Sequence, residues 1–132
     1  MKRVAIIAAA LAALMLAGGA SAYRAPTLAE RGQILTTLRA YVDRSSCCAV
    51  MKRIKVLGLR ISTVDKRWAA VGIEGYDANG VDIGSALAVV HHGYLTGTWS
   101  IRDFGTAGAT CPVPPAIVAR DIGKAFLGYH HC

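Results

Sequence analysis

The sequence predicts an α+β fold, a four-stranded antiparallel meander with an N-terminal and a C-terminal helix packed on one face. Three observations lead there. Between Ile54 and Phe104, four segments rich in β-branched and aromatic residues follow one another with turn residues between them. Apolar residues at helical spacing precede and follow that stretch. A sheet with one apolar face and two helices with apolar stripes bury them most simply as two packed layers.

The chain opens with Met1, Lys2 and Arg3, an apolar run from Val4 to Ala17, and the small residues Gly18 to Ala22. A charged start, a hydrophobic middle and a small-residue cleavage site describe a secretory signal peptide. The run is shorter than the roughly 20 residues a membrane-spanning helix needs. Residues 1–22 are therefore read as a leader, and residues 23–132 as a single small α+β domain that is secreted, with no membrane span after cleavage. The Ala- and Leu-rich leader inflates the hydrophobic fraction of 54%. Lys2 and Arg3 leave with it, so 13 basic and 8 acidic residues remain, a balance of +5. Such a charge favours loose association with acidic surfaces and does not define a site.

Pro26 and Thr27 open the first helix, and Thr27 with Glu30 has the spacing of a capping box. Leu28, Leu35, Leu38 and Val42 fall on one stripe with Ile34 and Tyr41 beside it, while Arg31 and Arg39 lie off its centre. Gly32 either weakens this helix or marks a close approach to the sheet. Asp43 to Ser46 ends it.

Four cysteines follow from this point on, Cys47, Cys48, Cys111 and Cys132. In a short exported chain they read as two disulfides with three possible pairings. Bridging neighbours strains the intervening peptide, which favours Cys47 and Cys48 each joined to one of Cys111 and Cys132. The competing pairing joins Cys47 to Cys48 and Cys111 to Cys132.

Lys52, Arg53 and Lys55 begin the β region, and with Arg60, Lys66 and Arg67 they form a possible patch for phosphates or acidic polymer. Without aromatic interleaving or a nucleic-acid motif, no nucleic-acid partner is expected, and lysine on a solvated edge strand is the simpler account. Leu57–Val64 and Trp68–Tyr76 form a hairpin across Asp65 to Arg67. Asp77 to Gly80 closes the next turn, where Asn79-Gly80 is a strong signal. Ser85–His91 is the third strand and Leu95–Phe104 the fourth. In the fourth, Thr96, Thr98, Ser100 and Arg102 alternate with Leu95, Gly97, Trp99 and Ile101, so one face is wet and the other buried. After a connector from Gly105 to Thr110 and the prolines Pro112, Pro114 and Pro115, the residues Val118, Ile122, Ala125, Phe126 and Tyr129 recur at helical spacing.

The stretch from Arg60 to Val71, the run Trp99 to Gly105, the run Cys111 to Gly123 and the final cysteine together resemble small secreted proteins of unassigned function common in actinobacteria. That resemblance implies export and a hairpin-then-helix order. It implies no activity and no catalytic residue.

Chemistry is sparse in the remaining residues. The histidines occur as His91-His92 and His130-His131, the second pair beside Cys132, a composition compatible with metal. Neighbouring side chains on a strand point to opposite faces, however, and a disulfide removes Cys132 as a ligand. The sequence contains no Gly-x-Ser-x-Gly, His-Glu-x-x-His, phosphate-binding loop or dinucleotide fingerprint. Asp65, Glu74, Asp77, Asp82 and Asp103 lie mostly in or beside turns, where solvated carboxylates are the rule. Trp68 and Trp99 read as core. The expectation is a secreted, non-enzymatic binding or interaction module without a cofactor. Its exposed sheet face, with Thr96, Thr98, Ser100 and Arg102, would meet an extracellular protein or an acidic envelope polymer. The alternatives are a small secreted hydrolase and a metal-binding protein. They divide on hydrolase turnover sensitive to His91→Ala or Asp103→Ala, and on metal content.

Overall fold

A computed structural model of the chain describes residues 23–105 together with Val118 and Ile122. The leader expected over residues 1–22, Cys111, Cys132, the 112–115 proline segment, His130 and His131 lie outside the described residues.

The elements in order are β1 (Tyr23–Arg24), α1 (Leu28–Arg44), a 3-10 turn (Ser46–Cys48), β2 (Arg53–Ser62), β3 (Trp68–Tyr76), β4 (Asp82–His92) and β5 (Trp99–Gly105). All five strands belong to one antiparallel sheet in the order β1-β2-β3-β4-β5. The expected four-stranded meander thus gains a fifth strand, two residues long, pairing Tyr23 with Ser62 and Arg24 with Ile61.

The start of α1 follows from its first residues. The Thr27 hydroxyl accepts from the Glu30 backbone N–H at 3.2 Å, and the Glu30 carboxylate accepts from the Thr27 N–H at 2.8 Å. Glu30 also takes both guanidinium nitrogens of Arg24, at 2.6 and 2.8 Å, which ties β1 to the helix. Ile34, Leu38 and Val42 form the buried stripe of α1. Leu28, expected on that stripe, is 91% exposed. A Cβ at Gly32 would meet nothing, so this glycine reflects no close approach to the sheet.

The hydrogen bonds from Arg24, then those within the capping box, hold the Glu30 carboxyl down to about 2, from an ordinary value of 4.5. A carboxyl whose folded pKa is depressed favours the folded state fully above its unfolded pKa. That contribution is lost as the pH falls from about 4.5 toward about 2. Glu30→Gln is expected to reduce the loss of stability between about pH 6 and about pH 3, read as urea midpoints against the unsubstituted chain. An unchanged acid dependence would show that Glu30 carries none of it.

The hairpin turns are built locally. Ser62 is buried and its hydroxyl accepts from the N–H groups of Val64 and Asp65, both at 3.1 Å, which turns the chain from β2 toward β3. Between β3 and β4, Asp77 Oδ1 accepts from the N–H groups of Asn79 and Val81, at 2.8 and 2.9 Å, and Gly80 takes a φ of 82°. Glycine fits there because a Cβ is disfavoured at positive φ. β5, expected to start at Leu95, begins only at Trp99, since Tyr94 to Thr96 form a turn. The ladder pairings shift once in each of β2–β3, β3–β4 and β4–β5, at Val56/Gly58, Gly75/Tyr76 and Val89/Val90.

The sheet is buried on both faces. On one, Ile34, Leu38 and Val42 of α1 pack with Leu59, Ile61, Ala69, Val71, Ile73, Ala88, Val90 and Trp99. On the other, Trp68, Ala70, Leu87 and Val89 pack with Val118 and Ile122. Alternation along β3 and β4 puts these two sets of strand residues on opposite sides. The expectation of two helices on one face is therefore corrected. Among the described residues α1 is the single helix. The two described residues of the segment expected to form a second, Val118 and Ile122, have helical backbone and cover the opposite face. The physical reason is that β3 is apolar at consecutive positions, Trp68 to Val71, so it needs a cover on each side.

Candidate functional site: a cationic groove between α1 and β2

The four residues expected to make a binding face are not brought together as one surface. Thr96 and Thr98 lie in the β4–β5 connection, where the Thr98 N–H and hydroxyl lie 3.4 and 3.1 Å from the Thr96 hydroxyl oxygen. Ser100 and Arg102 are exposed on β5, with the Ser100 hydroxyl donating to the His91 carbonyl at 3.3 Å and Arg102 at the ladder irregularity. The sheet face to which Ser100 belongs is the one that Val118 and Ile122 cover in its middle.

His91 and His92 point to opposite faces, as their spacing requires. The His91 ring lies 4.4 Å from that of Trp68, and the His92 ring 5.2 Å from that of Trp99. Burial, then the positive charges of Arg67 and Arg102, push His91 below the usual histidine range. Among the described residues no three His, Cys, Asp or Glu side chains gather closely enough to hold a metal ion. The carboxylates singled out in the sequence are occupied locally. Asp65 takes Arg67 at 2.8 and 3.0 Å, Glu74 takes Lys55 at 3.2 Å and the Tyr76 hydroxyl at 2.9 Å, and Asp82 and Asp103 accept from the Gly84 and Phe104 N–H groups, both at 2.8 Å. No two of them are joined in an acid/base pair.

Among the described residues, two hollows lie beside α1. The larger, of about 590 Å³, lies over its N-terminal half, with Gln33, Thr36, Thr37 and Thr98 along it. The smaller, of about 380 Å³, lies between the last turns of α1 and the start of β2. Its lining is Arg39, Val42, Asp43, Lys52, Arg53 and Ile54. Here two apolar side chains are bordered by three cations and a single carboxylate.

Local structure explains this convergence. Arg39 and Asp43 are four residues apart and so share a side of α1. The 3-10 turn at Ser46–Cys48 reverses the chain, and the Met51 N–H donates to the Cys48 carbonyl at 2.8 Å. The Lys52 N–H then donates to the Tyr76 carbonyl at 2.8 Å, which fixes the entry into β2. The Arg53 guanidinium rests 5.7 Å from the centre of the Tyr76 ring. Ion pairs among the described residues join Arg24 to Glu30, Lys55 to Glu74 and Arg67 to Asp65. None includes Arg39, Lys52 or Arg53.

Sequence reasoning found Lys52 and Arg53 within a basic patch but missed Arg39 and Asp43 as their neighbours. The remaining patch residues divide elsewhere: Lys55 and Arg67 are ion-paired, and the Arg60 guanidinium lies 5.4 Å from the centre of the Tyr23 ring. The i, i+4 spacing of Arg39 and Asp43 was the one available signal, and it specifies a side of a helix without saying what that side meets. No helix among the described residues is long and apolar enough to cross a membrane. No family model, curated protein or solved structure matches the chain.

Proposed function

We propose that the chain is a secreted, non-enzymatic binding module that takes an acidic ligand in the groove between α1 and β2. The observation that supports this reading is the convergence of Arg39, Lys52 and Arg53 over Val42 and Ile54, with Asp43 the one acid in the lining. Cations around an apolar floor suit a ligand that presents carboxylate or phosphate groups on a less polar body. The net charge of +7, or +5 without the leader, attracts such a ligand from a distance. Export rests on the leader pattern of residues 1–22 and on the resemblance to small secreted actinobacterial proteins. The groove replaces the sheet face as the preferred surface, and an acidic envelope polymer remains the partner class.

Binding of the full chain to immobilised poly-L-glutamate tests the reading. Lys52→Ala and Arg53→Ala are each expected to weaken binding about tenfold, the value of one charge-assisted contact. Arg31→Ala, an exposed change elsewhere on α1, is expected to leave binding unaltered. Equal binding by the Lys52→Ala/Arg53→Ala chain, or equal retention on a neutral dextran, would reject the groove as an anion site.

A further inference from the structure

We propose that Cys47 and Cys48 form a vicinal redox pair, closed to an intra-turn disulfide by a disulfide-class oxidant such as oxidised glutathione and reopened by thiols. Their Sγ atoms lie 2.9 Å apart inside the 3-10 turn that follows α1. A disulfide bond is roughly 2.05 Å long, so the two thiols are unbonded neighbours already facing one another. Cys47 is exposed and Cys48 is 3% exposed, packed into the core beneath α1. One sulfur is open to reagents from solvent, and the other has that sulfur at hand.

The exchange balances without further reagents. The Cys47 thiolate attacks one sulfur of the oxidant RSSR, forming a mixed disulfide and releasing RS⁻. That thiolate takes the Cys48 proton, and the Cys48 sulfur displaces the second RS⁻ from Cys47, which is protonated by water. Two protein thiols are oxidised by two electrons and one RSSR is reduced to two RSH. Burial, then the contact with Cys47, pushes the Cys48 thiol up to about 11. Cys48 therefore acts second, after the exposed sulfur has been captured.

Adjacent Cα atoms are about 3.8 Å apart, shorter than the roughly 4.4–6.8 Å usual for disulfides. The closed ring is consequently strained, and strained bridges are the readily reduced ones. This distinguishes the pair from a structural staple to Cys111 or Cys132.

The test uses the folded full chain, treated with oxidised glutathione, alkylated and digested with trypsin without reduction. The fragment 45–52 is expected two hydrogens lighter and free of alkyl groups. After excess reduced glutathione it is expected to carry two alkyl groups. Cys48→Ser is expected to leave glutathione attached at Cys47, and Cys47→Ser to give no light fragment. The Cys111→Ser/Cys132→Ser chain is expected to keep the light fragment. Linkage of fragment 45–52 to one carrying Cys111 or Cys132, or two alkyl groups after the oxidant, would overturn the proposal.

Discussion

Leu38→Ala is expected to lower the unfolding free energy by about 2–5 kcal/mol, measured by urea denaturation. Leu38 is fully buried, at the middle of the stripe that Ile34 and Val42 complete, and it packs in the cluster that holds Leu59, Ile61, Val71 and Trp99. Truncation removes apolar contact with the sheet and leaves a cavity that a helix held on both sides of the site closes only in part. The neighbouring Thr37 hydroxyl lies 3.5 Å from the Trp99 carbonyl, and the Tyr41 and Phe104 ring centres are 5.4 Å apart, so the second half of α1 is seated against β5. Leu28→Ala supplies the internal contrast. At 91% exposure it is expected to change stability by no more than about 0.5 kcal/mol. A small effect of Leu38→Ala would mean that α1 does not seal this face.

Ile122→Ala is expected to cost about as much, again about 2–5 kcal/mol. Ile122 is fully buried and Val118 is 2% exposed, in a cluster with Trp68, Ala70, Leu87 and Val89. Because the sheet separates this cluster from the one under α1, the Leu38→Ala/Ile122→Ala chain is expected to lose the sum of the two single effects within about 0.5 kcal/mol. Strong coupling would instead indicate one shared core, the arrangement with both helical segments on a single side. An Ile122→Ala change close to zero would leave the Trp68 face open to water.

What could be seen in the amino-acid order was whatever local chemistry determines. Thr27 and Glu30 marked the start of α1 because a capping box requires only its own four residues. The alternation of buried Trp99 with exposed Ser100 marked β5, and Asp77 to Gly80 marked a turn through one side-chain oxygen and one positive φ. β1 escaped detection because two residues carry no periodicity; Tyr23 and Arg24 become a strand only by meeting Ser62 and Ile61. The placement of Val118 and Ile122 was misjudged for a different reason. An apolar stripe on a helix states that it must be covered and is silent about which side of a sheet does the covering. The signal lay in the sheet itself, in the unbroken run Trp68 to Val71, where consecutive apolar residues imply burial above and below. The groove was half visible, since Lys52 and Arg53 stand together in sequence while Arg39 and Asp43 join them only through the reversal at Ser46–Cys48.

The strand order also governs how the sheet assembles in time. β2 meets β3 across residues 63–67, β3 meets β4 across 77–81, and β4 meets β5 across 93–98. Each closure involves a short loop and little entropy, so these hairpins can zip in succession. β1 is the exception, because its pairing with β2 must wait for the whole of α1 to be gathered in between. With two residue pairs to repay that longer closure, β1 is expected to be the last strand to join and the first to open in hydrogen exchange.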